Sequence, residues 1–237
     1  RFDLAYVVRA SDYRGQRDVQ VEWVDARVKA QGPKPKHQIS KPEAQVVDYR
    51  REDSPRRLLE RLRAQEDVQV WSETETRTEV AGQDRYALGP SKALVIWATP
   101  PGPAELQAVL EKVSPETVYL FGMDPGLDRP EEFLKRLAGL TKHALNSNQG
   151  RANVSTLAAA TAQREATVRA GLAWLGARGH LVVLDEDDDK IHLTTGSQTA
   201  SDDLPQIAAR LKALLEETAA YRAHFARAEK ETLISSQ

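Results

Sequence analysis

Six consecutive apolar residues, ALVIWA at 93–98, constrain this chain more than any other feature. A strand with one face in water alternates apolar and polar residues. An unbroken apolar run of this length marks a strand buried on both faces. Such strands belong to parallel sheets with helices on either side. The neighbouring segments agree. QVVDYR at 45–50, DVQVWS at 67–72 and TVYLFG at 117–122 read as further strands. A helix is predicted from Pro55, capped by Asp53 or Ser54, with Leu58, Leu59 and Leu62 on one side. Another follows the Pro100-Pro101-Gly102-Pro103 turn and carries Leu106, Val109 and Leu110. Strand, helix, strand, strand, helix, strand over residues 45–128 predicts a small Rossmann-like α/β domain with a mainly parallel sheet.

The flanking regions have other rhythms. Residues 18–28, DVQVEWVDARV, alternate with period two, and Phe2–Val8 reads as a strand before them. A polar turn, Ser11 to Gln16, joins the two into an antiparallel hairpin. Two strands alone are marginal, so this hairpin needs a sheet to join. Because a strand starts at the first residues, the chain is expected to be a piece of something longer. Residues 29–44, with three prolines and four lysines, form a linker. Residues 129–200 give a helix opening at Pro130, two more helices around a break near Gln163, then two short strands about an acidic turn. That order predicts a winged-helix-like unit. Residues 201–237 hold one long helix, predicted over 203–230, with Leu204, Ile207, Leu211, Leu214, Leu215, Tyr221 and Phe225 at helical spacing.

Several chemistries are excluded by residue type. The 237 residues include no cysteine, so disulfides, thiolate metal sites and cysteine nucleophiles are out, and a reducing, cytoplasmic setting is expected. His37, His143, His180, His192 and His224 are scattered without metal-ligand spacing. No phosphate-cradling glycine motif and no nucleophile elbow occurs, so no nucleotide is expected. No apolar run is long enough to span a bilayer, and no membrane partner is expected. The acidic run Asp185-Glu186-Asp187-Asp188-Asp189 lacks the spaced ligands and mid-loop glycine of a calcium loop and reads as a solvated hairpin turn. Carboxylates there would repel DNA phosphate, so this wing is expected to face away from nucleic acid, or the domain to bind protein.

Net charge is −2, but it is distributed in blocks: +5 over residues 1–64, −6 over 65–130, +4 over 131–180 and −5 over 181–237. A basic block that forms a face can meet phosphate. Signs that alternate on a solvated surface explain the same blocks. Two groups are candidates for nucleic-acid contact. Arg9, Tyr13, Arg14 and Arg17 surround the hairpin turn, where an aromatic ring can stack a base and arginines can pair with phosphates of a single strand. Arg151, Gln163, Arg164, Thr167 and Arg169 lie on or just before the second helix of the helix–turn–helix pair. Exposed turn arginines, and a helix pair used for packing, are the competing readings.

The stretch FDLAYVVRASDYRGQRDVQVEWVDARV resembles the end of the oligonucleotide-binding (OB) fold in bacterial RecJ, the single-stranded-DNA-specific exonuclease family. The residues that carry this are Asp3, Ala5, Tyr6, Tyr13, Gly15 and Gln20, with Ser11-Asp12 standing where an asparagine is usual. LVIWATPPGPAELQAVLEKVSPETVYLFG, LAAATAQREATVRAGLAWLGARG and LLEETAAYRAHF are similar to the extra C-terminal domain of longer RecJ proteins. The resemblance implies a 5′→3′ exonuclease of DNA recombination and repair, a hydrolase that uses manganese or magnesium held by DHH-type motifs. None of those motifs occurs in this sequence. The chain is therefore expected to be catalytically inert and to need no cofactor of its own. Its expected role is accessory: closing the OB-fold, lining a single-stranded DNA path or docking a repair protein. The competing reading is a free-standing winged-helix regulator or protein-interaction module, which would not be expected to start within a barrel.

Overall fold

The computed structural model describes residues 2–13, 16–28, 44–196 and 201–234. The chain divides into two units, Arg1–Lys41 and Pro42–Gln237.

The first unit contains β1 (Phe2–Tyr13) and β2 (Gln16–Val28). They pair antiparallel from Phe2 opposite Val28 to Tyr13 opposite Gln16, with a register shift between Ala5 and Tyr6. The predicted hairpin is present. Residues 29–43 of the expected linker lie outside the described residues.

The second unit opens with β3 (Gln45–Asp48), α1 (Pro55–Gln65), β4 (Val68–Trp71), α2 (Thr76–Glu79), β5 (Ala93–Ala98), α3 (Pro103–Val113) and β6 (Thr117–Met123). The strands form one sheet in the order β3-β6-β5-β4, and every neighbouring pair is parallel. All six residues of β5 are buried, as the apolar run requires. Val95 and Trp97 pack with Leu59 and Leu62 of α1, while Leu94 and Ile96 pack with Leu106 and Val109 of α3. The period-two alternation of a strand thus feeds two separate cores.

Both edges of this sheet are engaged by other parts of the chain. On β3, the Lys230 ammonium donates to the Val46 carbonyl at 3.1 Å. On β4, the Gln83 N–H donates to the Val70 carbonyl at 2.8 Å, and the Ser72 N–H to the Gln83 carbonyl at 2.9 Å.

The chain continues through α4 (Pro130–Ser147), β7 (Arg151–Asn153), α5 (Val154–Thr161), α6 (Glu165–Ala177), β8 (Leu181–Asp187) and β9 (Lys190–Thr195). These strands form a second, antiparallel sheet in the order β7-β9-β8. Phe133 and Leu137 of α4, Leu157 of α5, and Val168, Leu172 and Leu175 of α6 share a core with Leu181, Ile191 and Leu193 of the sheet. Gly171 is what lets α6 approach α4. A Cβ there would lie 2.6 Å from Leu137 Cδ2 and 2.7 Å from Phe133 Cε1.

The C-terminal region differs from the prediction. The long helix α7 spans Leu204–Phe225, and a separate short helix α8 covers Lys230–Ile234. Leu211 and Leu215 of α7 enter the core of the helical lobe, whereas Phe225 is buried among Trp71, Leu94 and Leu120 of the α/β lobe. Full burial of one such side chain contributes about 1.5–3 kcal/mol. The helix therefore fastens the two lobes together. Among the described residues no helix is long and apolar enough to cross a membrane.

Candidate functional site

In open parallel sheets, ligands bind in the crevice beyond the carboxyl ends of the strands. In this chain that crevice is bounded by Glu73 after β4, Thr99 after β5, and the loop Asp124–Arg129 after β6. The α5–α6 turn, residues 162–164, occupies it. Ala162 takes a left-handed backbone conformation, φ +49°, which reverses the chain between the helices. Gln163 then enters the crevice with no exposed surface. Its amide nitrogen donates to the Leu127 carbonyl at 3.1 Å and to Asp128 Oδ1 at 2.9 Å.

Two ion pairs hold the turn in place. Glu73 and Arg85, 2% and 7% exposed, form a two-pronged pair, 2.6 Å from Nε to Oε1 and 2.5 Å from Nη2 to Oε2. Arg85 Nη2 also donates to the Gln163 carbonyl at 3.1 Å. Arg222 of α7 donates to Asp128 and to the Ala162 carbonyl. Farther out, the Thr74 N–H donates to the Ala159 carbonyl at 3.2 Å, and the Tyr86 hydroxyl donates to Glu165 at 2.8 Å.

The two pairs differ electrostatically. Burial works against the Arg85 charge, but the charge and hydrogen bonds of Glu73 outweigh it, and Arg85 is held above its ordinary value. At the second pair, burial wins on both partners. It pushes Asp128 up despite Arg222 and Gln163, and pushes Arg222 down despite Asp128. The geometry accounts for this. A two-pronged arginine–carboxylate pair recovers more of its desolvation cost than a single contact does. Gln163 Oε1, Thr167 Oγ1, Thr218 Oγ1 and Arg222 Nε are also buried without a hydrogen-bond partner.

The predicted nucleic-acid residues are distributed as follows. Gln163 and Thr167 are fully buried, 0% exposed, so neither offers surface to a groove in this conformation. Arg164 is paired to Glu217 at 2.8 Å, and Arg169 is paired to Glu186 and donates to the Asp188 carbonyl. Arg151 is exposed, at the start of β7 opposite His192. In the hairpin, Arg9 stands opposite Gln20, Arg17 opposite Asp12 and Tyr13 opposite Gln16. Arg14 lies outside the described residues.

The acidic turn is more than solvated surface. Asp189 caps α5 from across the sheet: its Oδ1 accepts the Ser155 N–H at 2.7 Å, and its Oδ2 accepts Ser155 Oγ at 2.9 Å and Asn153 Nδ2 at 2.7 Å. The hydrogen bond from Asn153 is the main reason its carboxyl is held below the ordinary range. Asp185, Asp187 and Asp188 remain exposed.

A cleft of about 490 Å³ opens beside the junction, between α3 and the start of α6. Ala104, Ala108 and Ala166 line it, with Tyr86, Glu105 and Lys112 at its sides. Sequence reasoning missed Glu73, Arg85, Asp128 and Arg222. Each is an ordinary charged residue in a polar or amphipathic stretch, and the partners are 12 and 94 residues apart. Among the described residues no group of three or more acidic or histidine side chains is placed to hold a metal ion. Comparison with known protein families and with curated proteins gives no match to this chain.

Proposed function

We propose that this chain is a non-catalytic accessory region of a RecJ-type single-stranded-DNA exonuclease, and that its second unit docks a protein partner rather than reading DNA. The sequence resemblance supports the family. In this reading the hairpin belongs to the end of an OB-fold, and α4 to β9 form a winged-helix unit whose recognition helix is α6. Manganese or magnesium would belong to the catalytic part of such an enzyme, with no ligand set assigned in this chain.

One observation favours docking over DNA reading. Helix–turn–helix proteins contact base edges with the N-terminal residues of the recognition helix. Here Gln163, just before that helix, is packed into the crevice of the parallel sheet, where α/β folds hold their ligands, Thr167 is fully buried, and Arg164 is tied to Glu217. The crevice of the sheet is filled by Gln163, and two of the residues a groove-reading helix would offer, Gln163 itself and Thr167, are buried. The adjoining hairpin adds exposed carboxylates, which repel phosphate. What is left for contact is peripheral surface, the usual ground of protein recognition.

Fluorescence anisotropy with labelled single-stranded and duplex DNA across a salt series tests this. Any single-strand binding should weaken with salt and be lost in the Arg9→Ala/Arg14→Ala/Arg17→Ala variant. It should be indifferent to Arg164→Ala and Arg169→Ala. With manganese added, the chain alone should leave the DNA uncut. Duplex binding that disappears on changing Arg164 and Arg169 would overturn the docking assignment and favour a free-standing winged-helix regulator.

A further inference from the structure

We propose that the outer edge of β8 is a docking site for an extended, basic segment of a partner protein, which adds to the β7-β9-β8 sheet as a fourth strand. This rests on the docking reading above and names the surface and the chemistry of its partner.

The sheet order leaves β8 terminal, and among the described residues no strand pairs with its other edge. In the parallel sheet, by contrast, each edge is engaged elsewhere in the chain, by Lys230 on one side and Gln83 on the other. An open edge presents a row of unpaired N–H and C=O groups, a template for an added strand.

The side chains on β8 fit that use. Val182 and Leu184 are 44% and 58% exposed. Tyr86 is the other exposed large hydrophobic among the described residues, and its hydroxyl is tied to Glu165. A lone surface leucine needs no explanation, but two apolar residues on one open edge form a strip. The register shift between Val183 and Asp185 places Leu184 outside the ladder with β9. A bulge re-aims a side chain in this way.

Charge selects the occupant. Beyond Leu184 the edge carries exposed Asp185 and Asp187, with Asp188 in the turn that follows, while Glu186 is engaged by Arg169 and Asp189 by the α5 cap. A second copy of β8 laid along this edge would bring like charges together, and a phosphate backbone would be repelled. A segment whose apolar residues reach Val182 and Leu184, and whose lysines or arginines reach Asp185 and Asp187, meets both features. The carboxylates thus admit one class of strand and reject others.

The test is an NMR titration of the ¹⁵N-labelled chain with a synthetic ten-residue peptide that alternates valine with lysine and arginine. Three controls accompany it: the peptide N-methylated at alternate residues, its glutamate analogue, and labelled single-stranded DNA. Saturable binding is expected, with the largest amide shifts in Leu181–Asp187. N-methylation should abolish it, since strand addition uses the peptide backbone. Leu184→Lys should weaken binding roughly tenfold or more, and Asp185→Asn/Asp187→Asn should weaken it and flatten its salt dependence. These side chains are exposed, so the variants should melt with the parent chain.

Absence of saturable binding, equal binding of the N-methylated peptide, or a dimer dissolved by Leu184→Lys would overturn strand addition. Shifts confined to the Ala104–Ala108 cleft would overturn it while leaving the docking reading intact. DNA-induced shifts in the second unit at physiological salt, with none from the peptide, would overturn both.

Discussion

Arg85 grips Glu73 with two parallel hydrogen bonds while also holding the carbonyl of Gln163, 78 residues away, at 3.1 Å. A charge pair inside the α/β lobe therefore grips the turn of the helical lobe. Both side chains are out of water, so neither charge has an alternative partner in solvent. Glu73→Gln should leave the Arg85 charge uncompensated and destabilise the second unit by about 3–5 kcal/mol. Trp71 donates its indole N–H to the same carboxylate at 3.0 Å. The near-UV circular dichroism of the variant should change along with its urea midpoint. An unchanged midpoint would mean that the pair contributes nothing to holding the lobes.

The Asp128–Arg222 pair should behave differently, because burial dominates both partners. Asp128→Ala alone should cost about 3–5 kcal/mol by stranding Arg222. Asp128→Leu combined with Arg222→Met should cost much less than that single change, since no buried charge is left. The pH dependence follows from the raised Asp128 value. Between the ordinary carboxylate value, about 3.9, and the raised folded value, the native state keeps a proton that the unfolded chain has released. This group's contribution to stability therefore falls as pH rises through that window. Asp128→Asn should remove that slope from a series of urea melts, and a slope that survives would assign it elsewhere.

What the sequence disclosed, and what it hid, follows from distance along the chain. The run Ala93–Ala98 declared a doubly covered parallel strand because burial on two faces leaves a purely local mark. Gly179, with φ +74°, likewise leaves a local mark just past the end of α6. The grip of Arg85 on the Gln163 carbonyl left no local mark, because neither residue type is unusual where it stands. Gln163 looked like a groove-reading residue because the pattern places it at the start of a recognition helix. The pattern does not show that a second lobe already fills the space in front of it. Residues 203–230 looked like one helix because apolar residues recur at helical spacing up to Phe225 and no glycine or proline follows in 226–230. The backbone breaks there, and Arg50 binds the carbonyls of Phe225 and Ala228.

Asp189 is predicted to act as a cap delivered from another element. Three donors from Asn153 and Ser155 converge on its carboxylate at the start of α5. Asp189→Ala should cost about 1–2 kcal/mol, the usual value of a lost N-terminal cap. Asp188→Ala, one residue earlier and exposed, should cost less, because it loses only aspartate's better tolerance of the left-handed backbone held there, φ +46°. Because the folded carboxyl of Asp189 is held low, its contribution is present above the ordinary value and lost as pH falls through the folded one. The difference between Asp189→Ala and the parent chain in thermal melts should therefore shrink on acidification. A difference that grows would contradict the cap.

Thr218 offers the converse case, a buried polar group that stabilises nothing. It is fully buried on α7, and its hydroxyl has no hydrogen-bond partner. Taking a hydroxyl out of water without a partner costs about 1–3 kcal/mol. Valine has nearly the same shape and carries no such penalty, though its β-branching gives it no advantage in a helix. Thr218→Val should therefore raise stability by about 1 kcal/mol, read as an upward shift in the urea midpoint at constant m-value. Thr218→Ala should not reproduce the gain, because it also removes a methyl from a packed seam. If Thr218→Val instead destabilises the chain while Thr218→Ser does not, the hydroxyl has a partner in solution. The surroundings of Thr218 would then be a satisfied polar site rather than an unsatisfied one.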